Sequence, residues 1–127
     1  MEYFYEKFEE DTSAYLTKTG DIKGSAKATL LLGIPPAKEF RLNIARFQPG
    51  AGHDAHTHEW EHAFYIMKGT GKAVVEDKEA VVTEGMLVFV PPHLVHSLEN
   101  VGQEELVVFG VSGPPKTEAG YAQLKKE

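Results

Sequence analysis

The amino-acid sequence predicts an all-β fold, a sandwich or a barrel, and three observations carry that prediction. From Phe40 onward the chain is a series of short runs rich in residues that favour strands. Gly, Pro and Asp separate the runs, as turn residues do between strands. No convincing helical period lies between them, which argues against alternating strands and helices.

The elements follow in chain order. Residues 1–38 form an irregular N-terminal extension, expected to supply edge strands that pack on the barrel or on a dimer partner. Within it Leu30, Leu31 and Leu32 add a strand, while residues 1–20 fit an edge strand, a short helix or a dimer arm. Residues 39–47 alternate apolar and polar side chains through Ile44, the pattern of a half-buried strand. On that parity Phe40, Leu42 and Ile44 point into the barrel and Arg46 follows them; Pro49, Gly50 and Gly52 then end the run. Residues 63–67 are a second apolar run, closed by Gly69 and Gly71. Residues 72–76 and 80–83 flank a polar stretch at 77–79 and read as a hairpin. Residues 86–90 are stopped by Pro91 and Pro92, and residues 106–111 by Gly113, Pro114 and Pro115. The barrel core is placed at 39–113. The tail, 114–127, carries Tyr121 and Leu124 and is expected to form one short amphipathic turn.

Composition narrows the function. The 127 residues are 42% hydrophobic and 25% charged, the balance of one ordinary globular domain with enough core to fold without staples. There is no cysteine, so neither disulfides nor thiolate ligands are available, and any metal must be held by nitrogen and oxygen. That composition fits a cytoplasmic location. The first ten residues are acidic and aromatic with no basic leader, so no signal peptide is expected. No apolar run is long enough to span a bilayer, which disfavours a membrane protein. A net charge of -6 with no Lys/Arg cluster before the tail disfavours nucleic-acid binding, which needs phosphate-neutralising patches.

All six histidines lie between positions 53 and 96. Neutral imidazole is the commonest protein ligand for a transition metal. In a strand, side chains two apart share a face, so His56 and His58 look the same way. With parity preserved through the following turn, His62, Phe64 and Ile66 join that face and Glu59 and Glu61 point away. A bulge near Trp60 would reverse this assignment. Three in-phase histidines and a distant fourth, His96, favour a metal site over a surface-exposed histidine patch, because burying each ring unpaired costs free energy. His53 and His93 are placed at the mouth of the site or in solvent.

The spacing also resembles a known family. Gly50 is followed after five residues by His56-Thr-His58, then by His62 after three more and by Gly69 after six. Gly85 is followed after five residues by Pro91-Pro-His93, then by His96 after two and by Asn100 after three. These are the spacings of the two motifs of single-domain cupins, and the likeness covers residues 50–100. Two departures stand out: His93 takes a glycine position, and His62 takes the position of the family's glutamate ligand. The run from His56 to His62 is similar to a cupin subgroup in which four histidines hold the metal. The resemblance implies a double-stranded β-helix, or jelly-roll barrel, with His56, His58, His62 and His96 as ligands of one divalent transition metal per chain. Manganese or iron is favoured over zinc, nickel, cobalt or copper.

Four neutral imidazoles leave a divalent cation its full charge, whereas a glutamate would remove one unit; the site therefore favours anionic ligands. Four protein ligands in an octahedral arrangement leave two positions open, which suits catalysis. Arg46, Trp60, Phe64 and Phe89 are the candidate substrate-binding residues. Arg46 would hold a carboxylate if it points inward and otherwise faces the rim or solvent after a twist, the favoured placement; Trp60 would cap the pocket mouth or pack in a dimer interface. Beyond the histidines the residues name no catalytic group. The expected function is a metal-dependent enzyme, dioxygenase-like, acting on a small organic molecule inside the barrel. The alternatives are an isomerase, decarboxylase or lyase acting on a carboxylated or sugar-derived substrate, and a non-catalytic small-ligand module. Single-domain cupins are often dimers, so a homodimer is expected.

Overall fold

A computed structural model describes Phe4, Glu10, Asp11 and residues 22–115 of the chain. Among the described residues every regular element is a strand: β1 (Glu10–Asp11), β2 (Ile22–Lys23), β3 (Ala26–Leu32), β4 (Arg41–Phe47), β5 (Gly52–His56), β6 (Glu61–Lys68), β7 (Thr70–Val75), β8 (Lys78–Thr83), β9 (Leu87–Val90), β10 (His96–Asn100) and β11 (Leu106–Gly113). Among the described residues no helix is long and apolar enough to cross a membrane. Apart from β1, which pairs with β3, the expectations for residues 1–20 fall outside the described residues, as does the amphipathic turn within 116–127.

The strands form two antiparallel sheets. One has six strands in the order β1-β3-β4-β11-β6-β9, the other five in the order β2-β5-β10-β7-β8. Their facing sides share one core, in which Phe47, Ile66 and Leu106 from the larger sheet meet Ala73, Val82 and Leu98 from the smaller. This is a jelly-roll barrel. The hairpin expected around residues 77–79 is β7–β8, with Val75 opposite Lys78 and Glu76 turned to a φ of 54°. Residues 22–32, grouped by sequence with the extension, are integral to the sheets: β3 pairs along β4 and buries Ala28 and Leu30.

β4 corrects one expectation. Its inward residues are Arg41, Asn43, Ala45 and Phe47, opposite in parity to Phe40, Leu42, Ile44 and Arg46. Their partners on β11 are Ser112, Gly110, Val108 and Leu106, respectively. Partners on neighbouring strands share a face, so register with β11 decides which face of β4 looks inward. The apolar residues Leu42 and Ile44 lie on the outer face, only partly buried, and Phe40 just before the strand is 42% exposed. Hydrophobic alternation identified a strand here and named the wrong side of it.

Across β4, β11 and β6 the inward residues form rows that grade from polar to apolar. The first row is Arg41–Ser112–His62, the second Asn43–Gly110–Phe64, the third Ala45–Val108–Ile66. Phe47 and Leu106 form the floor. The lumen is therefore an apolar cup with a polar end, and the histidines gather at that end. Removing a side chain from this apolar core should be costly. Ile66→Ala, at a site of 0% exposure, is expected to lower unfolding free energy by about 3 kcal/mol. Val81→Ala, 61% exposed, should change it by less than about 0.5 kcal/mol. Urea denaturation of both variants checks the contrast.

Candidate metal centre

The smaller sheet brings two of the histidines face to face. His56, at the end of β5, is the register partner of His96, at the start of β10, and their rings lie 4.4 Å apart. A register shift between His96 and Leu98 turns His53 to the same side, where its ring stacks on His56 at 5.4 Å. His53 thus lines the pocket; it is not a solvent residue. His58 lies beyond the end of β5, so strand parity does not set its direction. Trp60 does: the two rings stack at 4.3 Å with an interplanar angle of 7°. The backbone N–H of His93, a residue at φ 70°, donates to the His58 carbonyl at 2.8 Å and ties the two motif loops together.

Hydrogen bonds then define which ring nitrogen is available. Nδ1 of His56 lies 2.7 Å from the Asp54 carbonyl, Nδ1 of His58 3.2 Å from the Trp60 carbonyl, and Nδ1 of His96 3.0 Å from the Leu94 carbonyl. A carbonyl only accepts, so each Nδ1 carries the proton and each Nε2 keeps its lone pair. These three residues offer ligand atoms within 4.8 Å of one another. Nε2 of His96 is buried and has no hydrogen-bond partner, an arrangement that a metal ion would satisfy. The group is compatible with one divalent metal, and its nitrogen donors exclude none of the common first-row ions.

His62 stands apart from that trio. It projects from β6 in the opposite sheet, with ring centroids 5.6 Å from His58 and 5.9 Å from His96. Its Nδ1 is buried without a hydrogen-bond partner, so no carbonyl orients the ring as in the other three. The structure brings together three of the four expected ligands and sets the fourth beside them.

Comparison with known proteins agrees with this geometry. Residues 43–112 match the family model described as "Cupin domain", more than half of the chain. The chain belongs to the cupin family. This cupin is 35% identical over 74 residues, 57% of its length, to a mannose-1-phosphate guanylyltransferase of Klebsiella pneumoniae, and spans only 16% of that protein. A crystal structure described as a predicted oxalate decarboxylase of Thermotoga maritima superposes with a TM-score of 0.69 at 24% identity, over 72% of this chain and 83% of the other. A cupin-like protein of the same organism superposes at 0.67 and 24% identity, over 82% and 87% of the two chains. At those identities the solved structures are alike in fold.

The remaining candidates are distributed unevenly around this cupin's pocket. Phe64 is 5% exposed on the inner wall, edge-on to His62 at 5.0 Å. Trp60 is 2% exposed and packs with Ile34, so it neither caps the mouth nor meets a partner subunit; it backs the His58 ring. Arg46 is a correction. It points outward and pairs with Glu105 at 3.4 Å, because the parity of β4 sends it away from the lumen. Phe89 is another, being 53% exposed on the outer face opposite Ala63, while its neighbour Val90 faces inward beside His62. A continuous apolar run such as residues 86–90 has no alternation from which to read its inner side. The inward cation is Arg41, 4% exposed and part of the pocket wall. Its signal in the sequence was its place two residues before Asn43, on the face that alternation had assigned to solvent.

Burial pushes the pKa of His53 down to about 3 and that of His58 to about 4, with neighbouring imidazoles adding to the effect. Burial likewise lowers His96, against the opposing pull of its bond to Leu94, and places His62 well below the ordinary histidine value. The unfolded chain takes up protons near pH 6.5, where the folded one does not. It therefore binds more protons between pH 6.5 and about 4, and stability must fall as pH is lowered through that window. Denaturation of metal-free protein should show this acid loss and little change from pH 7 to 8; a flat profile from pH 7 to 4 would contradict it. Trp60→Ala, which removes the support behind His58, should weaken metal affinity roughly 10- to 100-fold, read by competition with a chromophoric chelator.

Proposed function

We propose that this cupin is a metal-dependent enzyme that holds one divalent transition metal per chain and binds a small organic substrate beside it in the barrel. Manganese or iron is favoured over zinc, nickel, cobalt or copper. The observation that carries the reading is the shared tautomer of His56, His58 and His96. Each has Nδ1 against a backbone carbonyl, the three offer ligand atoms within 4.8 Å of one another, and His56 and His58 line the pocket. We assign the fourth ligand to His62, whose ring lies 5.6 Å from that of His58 and whose buried Nδ1 has no hydrogen-bond partner. A bound cation would supply Lewis-acid polarisation and open coordination positions. The chain supplies the rest. Trp60 and the three carbonyls fix ring orientations, Phe64 and Ile66 keep the cup dry, and neutral imidazoles keep the site net positive once a cation is bound.

The reaction class we favour is dioxygenation of a small organic molecule. Decarboxylation, isomerisation or elimination on a carboxylated or sugar-derived substrate is the second reading. It is supported by Arg41 in the pocket wall and by the likeness in fold to a protein described as a predicted oxalate decarboxylase. We further propose a cytoplasmic homodimer. The cysteine-free composition supports the first part, and the exposed outer-face residues Tyr65, Met67, Leu87 and Phe89 support the second.

Protein purified without added metal should contain about one transition-metal ion per chain by elemental analysis. Oxygen-uptake and carbon-dioxide-release screens with that metal then separate the two reaction classes. His58→Ala should lose both the metal and the turnover. Ligand binding that survives complete metal removal, with no turnover in either screen, would replace the enzyme with a non-catalytic binding module.

A further inference from the structure

The polar row at the open end of the larger sheet contains more than a metal ligand. Arg41, Ser112 and His62 are successive cross-strand partners on β4, β11 and β6, so their side chains stand side by side on the inner face. Ser112 is 1% exposed, and its Oγ has no hydrogen-bond partner. A buried hydroxyl left without a partner is costly, so the position calls for a hydrogen-bond acceptor. Arg41, 4% exposed, lines the same pocket and carries a permanent charge. One row deeper, Gly110 leaves the space into which Asn43 turns: a Cβ there would collide with Asn43 Oδ1 and stand 3.5 Å from His62 Nε2. The absence of a side chain on Gly110 therefore gives Asn43 its place beneath the row.

We propose that Arg41 and Ser112 form an anion subsite for the carboxylate of a small organic acid, whose other end reaches the histidine centre. The assignment rests on the metal-centred reading of that site and names its substrate class. A guanidinium presents five N–H donors in a planar fork, so one edge can grip a planar carboxylate while others are held by the protein. The Ser112 hydroxyl donates to the same carboxylate. Arg41 pairs with Ser112 and Ser112 with His62, and all three line the pocket that His58 lines, so the cation shares a wall with the centre. His62, in the same row and 5.6 Å from His58, marks how short the span between subsite and centre is, and restricts the acid to a few carbons.

The test is calorimetric titration of metal-loaded protein with malonate and with its neutral diamide, malonamide, alongside metal analysis of each variant. Malonate should bind at least about tenfold more tightly than malonamide. Ser112→Ala, a small change that leaves the strand intact, should weaken malonate roughly tenfold, and Arg41→Gln about a hundredfold, with metal content unchanged in both. Equal malonate affinity in wild type and Ser112→Ala would overturn the subsite, and that variant decides the matter even if Arg41→Gln fails to fold. So would malonamide binding as tightly as malonate, or inorganic phosphate binding more tightly than either. Malonate binding that needs the metal but ignores both substitutions refutes the subsite and leaves the centre standing. Binding that needs Arg41 and Ser112 but no metal upholds the subsite and removes the centre.

Discussion

A neutral imidazole has one N–H to place, and this barrel sets three of them against a nearby backbone carbonyl. The bonds from His56, His58 and His96 to Asp54, Trp60 and Leu94 each span only two residues, so the chain that carries the ring also orients it. Much of the site follows from this. The second nitrogen of each ring is left as an acceptor, and the three residues offer ligand atoms within 4.8 Å of one another. The same bonds explain why Trp60 is buried under His58 and not displayed at a rim. It contributes a ring to stack on and a carbonyl to accept.

The two sheets divide the work. The smaller one sets His56 opposite His96 by direct strand pairing and, through a register shift, adds His53 behind them. The larger one forms the wall across the lumen, and β11 is its decisive strand because it pairs with both β4 and β6. Leu106 and Val108 fill the floor, whereas Gly110 and Ser112 leave room above it. Asn100 fastens the arrangement: its amide donates to the carbonyls of Phe47 and Glu104 at 2.9 Å each and accepts from the Gly102 N–H. A buried amide with both ends satisfied can hold a loop to a strand without a desolvation penalty, which accounts for an asparagine at the close of the second motif.

The outer surface of the larger sheet carries apolar side chains, while part of its inner surface is polar. Leu42 and Ile44 are only partly buried outside, and Arg41 and Asn43 line the lumen. Amphipathic reasoning assumes that the interior is the apolar side. That assumption holds for a packed core and fails for a wall that lines a partly polar pocket. On that ground Arg46 is a pocket candidate only if β4 turns it inward, while Phe89 stands in an apolar run with no alternation to read. The first belongs to an ion pair on the surface and the second to the exposed outer face.

Strand positions from residue 39 onward were largely readable from local chemistry, since β-branched and aromatic runs between Gly and Pro form strands whatever lies around them. Exceptions were β5 and β10, whose histidines and acidic residues disguise them. The spacing of His56, His58, His62 and His96 was equally legible, because a centre assembled from two motifs leaves its intervals in the chain. Three things needed the folded molecule: which face of β4 looks inward, how His58 is aimed from outside any strand, and that Arg41 joins the pocket wall. Each depends on hydrogen-bond register or stacking between segments distant in sequence or beyond a strand end. A shift of one residue in register exchanges the faces of a strand without altering a single local preference, so only tertiary pairing could make those choices.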